Sequence, residues 1–194
     1  MAGEGTGTAP FSRRQIGGVG CAVMLIRETV PEDRHALLDL YVRVAKVPGG
    51  LARLEPEIDG AYIESFLARS LKSGVSYVAV ADAVHVVGEI HAYSLGLYCF
   101  SHVLSELTIA VDPDAQGAGV GRGLFEAFME RVQNHTPNIS RVELIARESN
   151  EKALRFYESL GFEREGIFRN RIRNLDGSLE SDIPMAWTRI PSGS

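Results

Sequence analysis

Residues Leu107 to Leu124 read LTIAVDPDAQGAGVGRGL. The first five, Leu107 to Val111, are an apolar run of strand length, and Asp112-Pro113 closes it with a pair that starts a turn. Gly117, Gly119, Gly121 and Gly123 then alternate with other residues, and Leu124, Phe125, Phe128, Met129 and Val132 follow at helical spacing. The order is strand, glycine loop, helix. Residues without Cβ let the backbone approach a ligand closely, and the N–H groups of a first helical turn have no intrahelical acceptor. Together with the positive end of the helix dipole, such groups form a site for phosphate.

Two common phosphate loops fail the spacing test. A P-loop ends in Gly-Lys-Ser/Thr, whereas Gly121 is followed by Arg122-Gly123. A dinucleotide loop needs G-x-G-x-x-G, and Arg122 or Leu124 stands where the third glycine belongs. A nucleotide-binding reading of the loop therefore loses its lysine and its metal-binding hydroxyl. Instead, Gln116-Gly117-Ala118-Gly119-Val120-Gly121 resembles Q/R-x-x-G-x-G/A, the acetyl-CoA pyrophosphate loop of the GNAT superfamily of N-acetyltransferases.

A second stretch carries the same resemblance. Asn150-Glu151-Lys152-Ala153-Leu154-Arg155-Phe156-Tyr157-Glu158-Ser159-Leu160-Gly161-Phe162 has an N-cap residue at one end and a glycine stop at the other. Residues seven apart differ by about 20° around a helix, so Asn150 and Tyr157 share a face. The stretch fills every position of N-x-x-A-x-x-F/L-Y-x-x-x-G-F, the helix and turn that complete the acetyl-CoA site in many GNAT enzymes. Downstream, Glu165 to Arg169 and Gly177 to Met185 resemble the closing hairpin of the branch with ribosomal-protein alanine and small amino-compound N-acetyltransferases. The implied fold is α/β (α+β), a mixed but mostly antiparallel sheet flanked by helices and splayed at the cofactor strands.

The resemblance implies acetyl-CoA as cosubstrate, with pantetheine along Ile109, Ala110 and Val111 and pyrophosphate on Gln116 to Arg122. Asn150 and Tyr157 would complete that site. It also implies direct attack of a primary amine on the thioester in a ternary complex. Tyr157 suits the role of acid for the leaving thiolate, since a phenol pKa of about 10 lies above a thiol pKa of about 8.5. The competing reading of Tyr157 is a core residue with a satisfied hydroxyl. The base is open. Related enzymes often place a glutamate five residues before the motif asparagine, and here that position is Ile145. Glu143 on the same strand face and Glu106 on the cofactor strand are the candidates, with Glu89/His91 as rivals and a water chain as a further alternative. A non-catalytic acyl-CoA-binding or sensing module is the alternative for the whole chain.

The rest of the chain bounds these readings. A length of 194 residues suits one domain, expected over 21–190 after a disordered tail of 1–20. Ser12-Arg13-Arg14 has the look of a twin-arginine export signal, but Gly17, Gly18 and Gly20 dilute the apolar stretch behind it. With 45% apolar residues and no run near the ~18 of a membrane span, no membrane partner is expected. A net charge of −5 without a basic block excludes a nucleic-acid footprint and favours an amine acceptor, small molecule or peptide. Cys21 and Cys99 are too few for a disulfide scaffold, which places the chain in the cytoplasm. The five histidines are scattered, so no metal is expected. A homodimer stays open.

Cys21 to Arg27 reads as a first strand, Pro31 to Val44 as a helix and Ala61 to Leu71 as another. Between the helices, Glu55, Glu57 and Asp59 read as a solvated acidic loop or as an attractor for an amine. Ser76 to Ala81, Val84 to Leu95 and Ser101 to Val111 read as an antiparallel meander, and Arg141 to Ala146 as a later strand. Glu89, His91 and Tyr93 share one face of the middle strand. A solvent-facing stripe is the ordinary arrangement, and an acceptor pocket is the alternative.

Overall fold

The computed structural model describes residues 14–16, 24–47, 49–81 and 85–189. In chain order the elements are β1 (Arg14–Ile16), β2 (Met24–Glu28), α1 (Arg34–Ala45), α2 (Gly60–Ser73), β3 (Gly74–Ala81), β4 (His85–Tyr93) and β5 (Val103–Val111). These are followed by α3 (Val120–His135), β6 (Arg141–Arg147), α4 (Glu151–Glu158), β7 (Glu163–Arg164), β8 (Phe168–Arg173) and β9 (Leu179–Thr188). One sheet runs β1-β2-β3-β4-β5-β6-β9-β7, and β8 pairs with β9. Every pairing is antiparallel except β5 with β6, whose connection is the α3 crossover. This is the expected mixed sheet. The expected tail lies outside the described residues apart from Arg14–Ile16, which pairs with Met24–Ile26 rather than standing free of the sheet. Cys21 to Val23, included in the expected first strand, also lie outside them.

The helices cover both faces of the central strands. On one side α1 and α2 place Leu37, Leu40, Tyr41, Val44, Ile63, Phe66 and Leu67 against Val78, Val80 and Ala110. On the other, Leu124, Phe125, Phe128 and Val132 of α3 pack on Ile90, Leu107, Val142 and Leu144. Phe125 and Phe128 are fully buried, and truncating either to alanine is worth about 3 to 5 kcal/mol. A strand covered on both faces reads as a continuous apolar run. Accordingly β3 and β4 are buried almost throughout. Gly88 serves this packing, because a Cβ there would stand 2.9 Å from both Leu124 Cδ1 and Val120 Cγ1.

Two irregularities shape the middle of the sheet. β5 and β6 pair only at Val103 with Arg141 and Leu104 with Val142, and beyond that they part. Between β4 and β5 the register shifts, with Tyr93 opposite Ser105 and His91 opposite Thr108, so Glu106 and Leu107 together face Ala92. That is a bulge. Glu106 sits in it at φ 58, a left-handed conformation rare outside glycine.

Candidate active site

The open side of β5 is where a cofactor arm would lie. From Ser105 onward this edge has no β6 partner, so its main-chain groups are free to pair with an extended ligand. Ile109 and Val111 are half-buried, while Ala110 is buried opposite Glu89 of β4. The strand ends at Asp112, which is held from α1: Arg43 Nε donates to Asp112 Oδ2 at 2.7 Å, and Arg43 Nη2 donates to the Val86 carbonyl. Asp112 Oδ1 in turn accepts from the Asp114 N–H and starts the turn that leads into the glycine loop.

In that loop Gly117 and Gly119 have φ of +82°, and a Cβ at either would meet nothing within 4 Å. The chain therefore needs glycine for its backbone angles, while the space beside it is open. Gly119 is the N-cap of α3, and its carbonyl accepts the helix bond from the Gly123 N–H. The N–H groups of Val120, Gly121 and Arg122 precede that bond and have no helical acceptor. Gly121 lies against β5, its Cβ position 3.6 Å from Val111 and 3.8 Å from Ile109. Gln116, Ala118 and Arg122 are exposed, and the Arg122 guanidinium stands 5.9 Å from the Phe156 ring. Strand, loop and α4 thus converge.

On α4, Asn150 Oδ1 caps the helix by accepting from the Ala153 N–H at 3.1 Å. Tyr157 packs among Phe125, Phe156 and Phe162, and burial pushes its pKa up to about 12. Its hydroxyl has no hydrogen-bond partner among the described residues, and it is not among the buried unsatisfied atoms. The phenol is thus anchored by its ring, protonated across the physiological range, and free to donate.

A cavity of about 430 Å³ opens beside the bulge. It is lined by Leu51, Ala52, Arg53, Glu57, Tyr62, Phe66, His91, Tyr93, Glu106 and Thr108. Glu106 is exposed, and its carboxylate has no partner among the described residues. Glu143 is placed differently: it accepts from Arg141 Nε at 2.6 Å and from Ser105 Oγ at 3.0 Å, and it does not line this cavity. The structure therefore brings Glu106 to this cavity and ties Glu143 into an ion pair. Ile145 is exposed on the Glu143 face.

The acidic loop is divided by its hydrogen bonds. Asp59 caps α2 by accepting from the Tyr62 N–H, Glu55 lies 3.5 Å from Lys46, and Glu57 accepts from the Leu54 N–H while also lining the cavity. The expected solvent-facing stripe on β4 is corrected outright: Glu89 is 0% and His91 2% exposed, because α1 and α2 roof that face. Tyr62, Phe66 and Arg53, which line the cavity, were not legible as site residues. Their helical or loop spacing marks a core stripe or a surface equally well.

This geometry can be set beside known proteins. The family of acetyltransferases called GNAT matches residues 35–162. The chain belongs to the GNAT acetyltransferase family. The ribosomal protein bS18-alanine N-acetyltransferase of Escherichia coli K12 is 41% identical over 84 residues, which is 42% of this chain and 55% of that protein. The match thus spans about half the length of that relative. Among solved structures, a GNAT-family acetyltransferase from Streptococcus pneumoniae superposes with a TM-score of 0.77 at 20% identity, covering 85% of this chain and 99% of the other. YncA from Salmonella typhimurium, solved with acetyl-CoA, gives 0.74 at 17% identity over 88% and 96%. These likenesses establish the GNAT fold for the sheet and helices described above.

Proposed function

We propose that this GNAT protein is an acetyl-CoA-dependent N-acetyltransferase acting on a primary amine of a small molecule or peptide, in a domain taken as 21–190. The observation that carries the reading is one juxtaposition. The unpaired edge of β5 runs into a loop with left-handed glycines and free N–H groups, and a polar cavity opens beside the same strand. A sensing module needs the first two features but not the third.

Acetyl-CoA, when bound, supplies the activated acyl group. In this reading Ile109, Ala110 and Val111 present main-chain groups to the pantetheine arm, and Gln116 to Arg122 present N–H groups to the pyrophosphate. Asn150 caps the helix that carries Tyr157, and Tyr157 delivers a proton toward the departing sulfur. Glu106 draws an ammonium group into the cavity by its charge, while Glu143 steadies the β5–β6 junction through Arg141 and Ser105. No group of metal-ligating side chains occurs among the described residues, and no helix there is long and apolar enough to cross a membrane. The exposed, unpaired Cys99 suits the cytoplasm proposed as its location.

The direct test is thiol release from acetyl-CoA across a panel of amines and N-terminal alanine peptides, with mass analysis of the product. Acetylated amine is the expected result. Tight CoA binding with no turnover on any acceptor would select the sensing module instead.

A further inference from the structure

Beneath the acceptor cavity lies a polar cluster that the roles above do not use. Glu89 is completely buried, and its carboxylate meets three side chains: Tyr41 donates to Oε2 at 2.7 Å, Ser76 donates to Oε1 at 3.0 Å, and His91 Nδ1 stands 3.1 Å from Oε2. Thr29 Oγ1 lies 2.6 Å from Ser76 Oγ and continues the chain. A carboxylate without water stays ionised only where donors saturate it. Burial together with Glu89 pushes the Tyr41 phenol well up, which keeps Tyr41 a donor. The remaining partner is the His91 ring, and the tautomer with hydrogen on Nδ1 is the one that supplies Glu89 with a further donor.

The ring is also locked in its plane. Phe66 stacks on it with centroids 4.1 Å apart and planes 4° apart, and Tyr93 stacks parallel at 6.0 Å. With Nδ1 spent on Glu89, Nε2 is left with its lone pair. No described residue bonds to it, it is not among the buried unsatisfied atoms, and His91 lines the acceptor cavity. The groups around the ring are Tyr41 from α1, Tyr62 from α2, Ser76 from β3, Glu89 and Tyr93 from β4, Glu106 and Thr108 from β5, and Arg53 and Glu57 from the interhelical loop.

We propose that His91 Nε2 is the base that deprotonates the acceptor ammonium, and that Glu89 is the positioning residue that fixes its tautomer. The inference rests on the acetyltransferase reading. An ammonium nitrogen loses two protons in becoming an amide nitrogen while a C–N bond forms and the C–S bond breaks. The first of these goes to His91 and leaves as H⁺. Tyr157 gives its own proton to the departing sulfur, and the second proton lost by nitrogen restores the Tyr157 phenol. Glu106, at the exposed rim, attracts the cation without having to take its proton.

The test combines kinetics with a readout that needs no acceptor. In nitrogen-15 NMR of the whole protein, the neutral His91 ring is expected as the Nδ1–H tautomer, and an Nε2–H tautomer overturns the proposal. Using the amine from the panel that wild type turns over best, His91→Gln should lower kcat/KM by about 10² to 10⁴, the usual worth of a general base, and remove the acidic limb of its pH profile. Glu89→Gln should lower it by roughly ten- to a hundredfold and move that limb to lower pH, because a lost anion disfavours the imidazolium. Both variants must bind acetyl-CoA as wild type does, which shows that they fold. Wild-type rates and an unmoved limb in folded variants overturn the base assignment while leaving the acetyltransferase reading intact. Absence of turnover in wild type itself overturns both.

Discussion

The two halves of the site are built from different materials. The proposed donor half, from Ile109 to Arg122, is built from backbone: an unpaired strand edge, left-handed glycines and a helix start. The proposed acceptor half is built from side chains carried by β4, β5, α2 and the loop between the helices, with a buried carboxylate at its base. Pyrophosphate recognition by N–H groups needs open space and a fixed chain path, which a short local motif supplies. Selecting an amine and moving its protons needs a particular functional group at a particular depth. Only elements far apart in sequence can assemble that arrangement.

The contrast can be broken at Tyr157, the one donor-side residue whose side chain is given chemistry. Tyr157→Phe keeps the ring among Phe125, Phe156 and Phe162, so turnover should fall about 10²- to 10⁴-fold with acetyl-CoA affinity nearly unchanged. Turnover within threefold of wild type, assayed with the true acceptor, would make Tyr157 a packing residue. At Gly119 the prediction is the reverse. Gly119→Val forces a β-branched residue to φ +82° and puts methyl groups into the open space, so calorimetry should show acetyl-CoA binding weakened well over tenfold, above about 1.4 kcal/mol. Equal affinity in a folded variant would remove the loop from cofactor binding.

Alkaline pH sharpens the comparison on the stability side. Burial pushes Tyr157 and Tyr77 up to about 12, whereas unfolded tyrosines ionise near 10. Between those values the unfolded chain has lost protons that the folded chain retains. Stability therefore falls as pH rises from about 10 to about 12, by roughly 1 to 3 kcal/mol per tyrosine. Denaturant midpoints across that range, with Tyr157→Phe showing a shallower decline, would bear this out. The smallest effect is expected at Glu106, where the carboxylate is exposed. Glu106→Gln should raise the acceptor KM a few-fold, more at low salt, and leave kcat within about twofold. A collapse of kcat would instead make Glu106 the base.

The sequence by itself determined the glycine loop and the short capped helix α4. Gln116 to Gly121 and Asn150 to Phe162 are local patterns, and their backbone angles, caps and glycine requirements are set by residues a few positions apart. It also determined the order of the central strands and helices, because each carries its own periodicity. The parting of β5 from β6 after Leu104 and the bulge at Glu106 were decided by the tertiary structure, since pairing and register depend on partners distant in the chain. The same holds for the two glutamates on flanking strands: only the folded sheet shows that Glu106 faces the cavity while Glu143 is taken up by Arg141. Glu89 and His91 are the clearest case. Alternation along β4 puts them on one face, but whether that face meets water or a roof of helices depends on where α1 and α2 pack. Burial is a property of the assembled layers, and no spacing within a single strand encodes it.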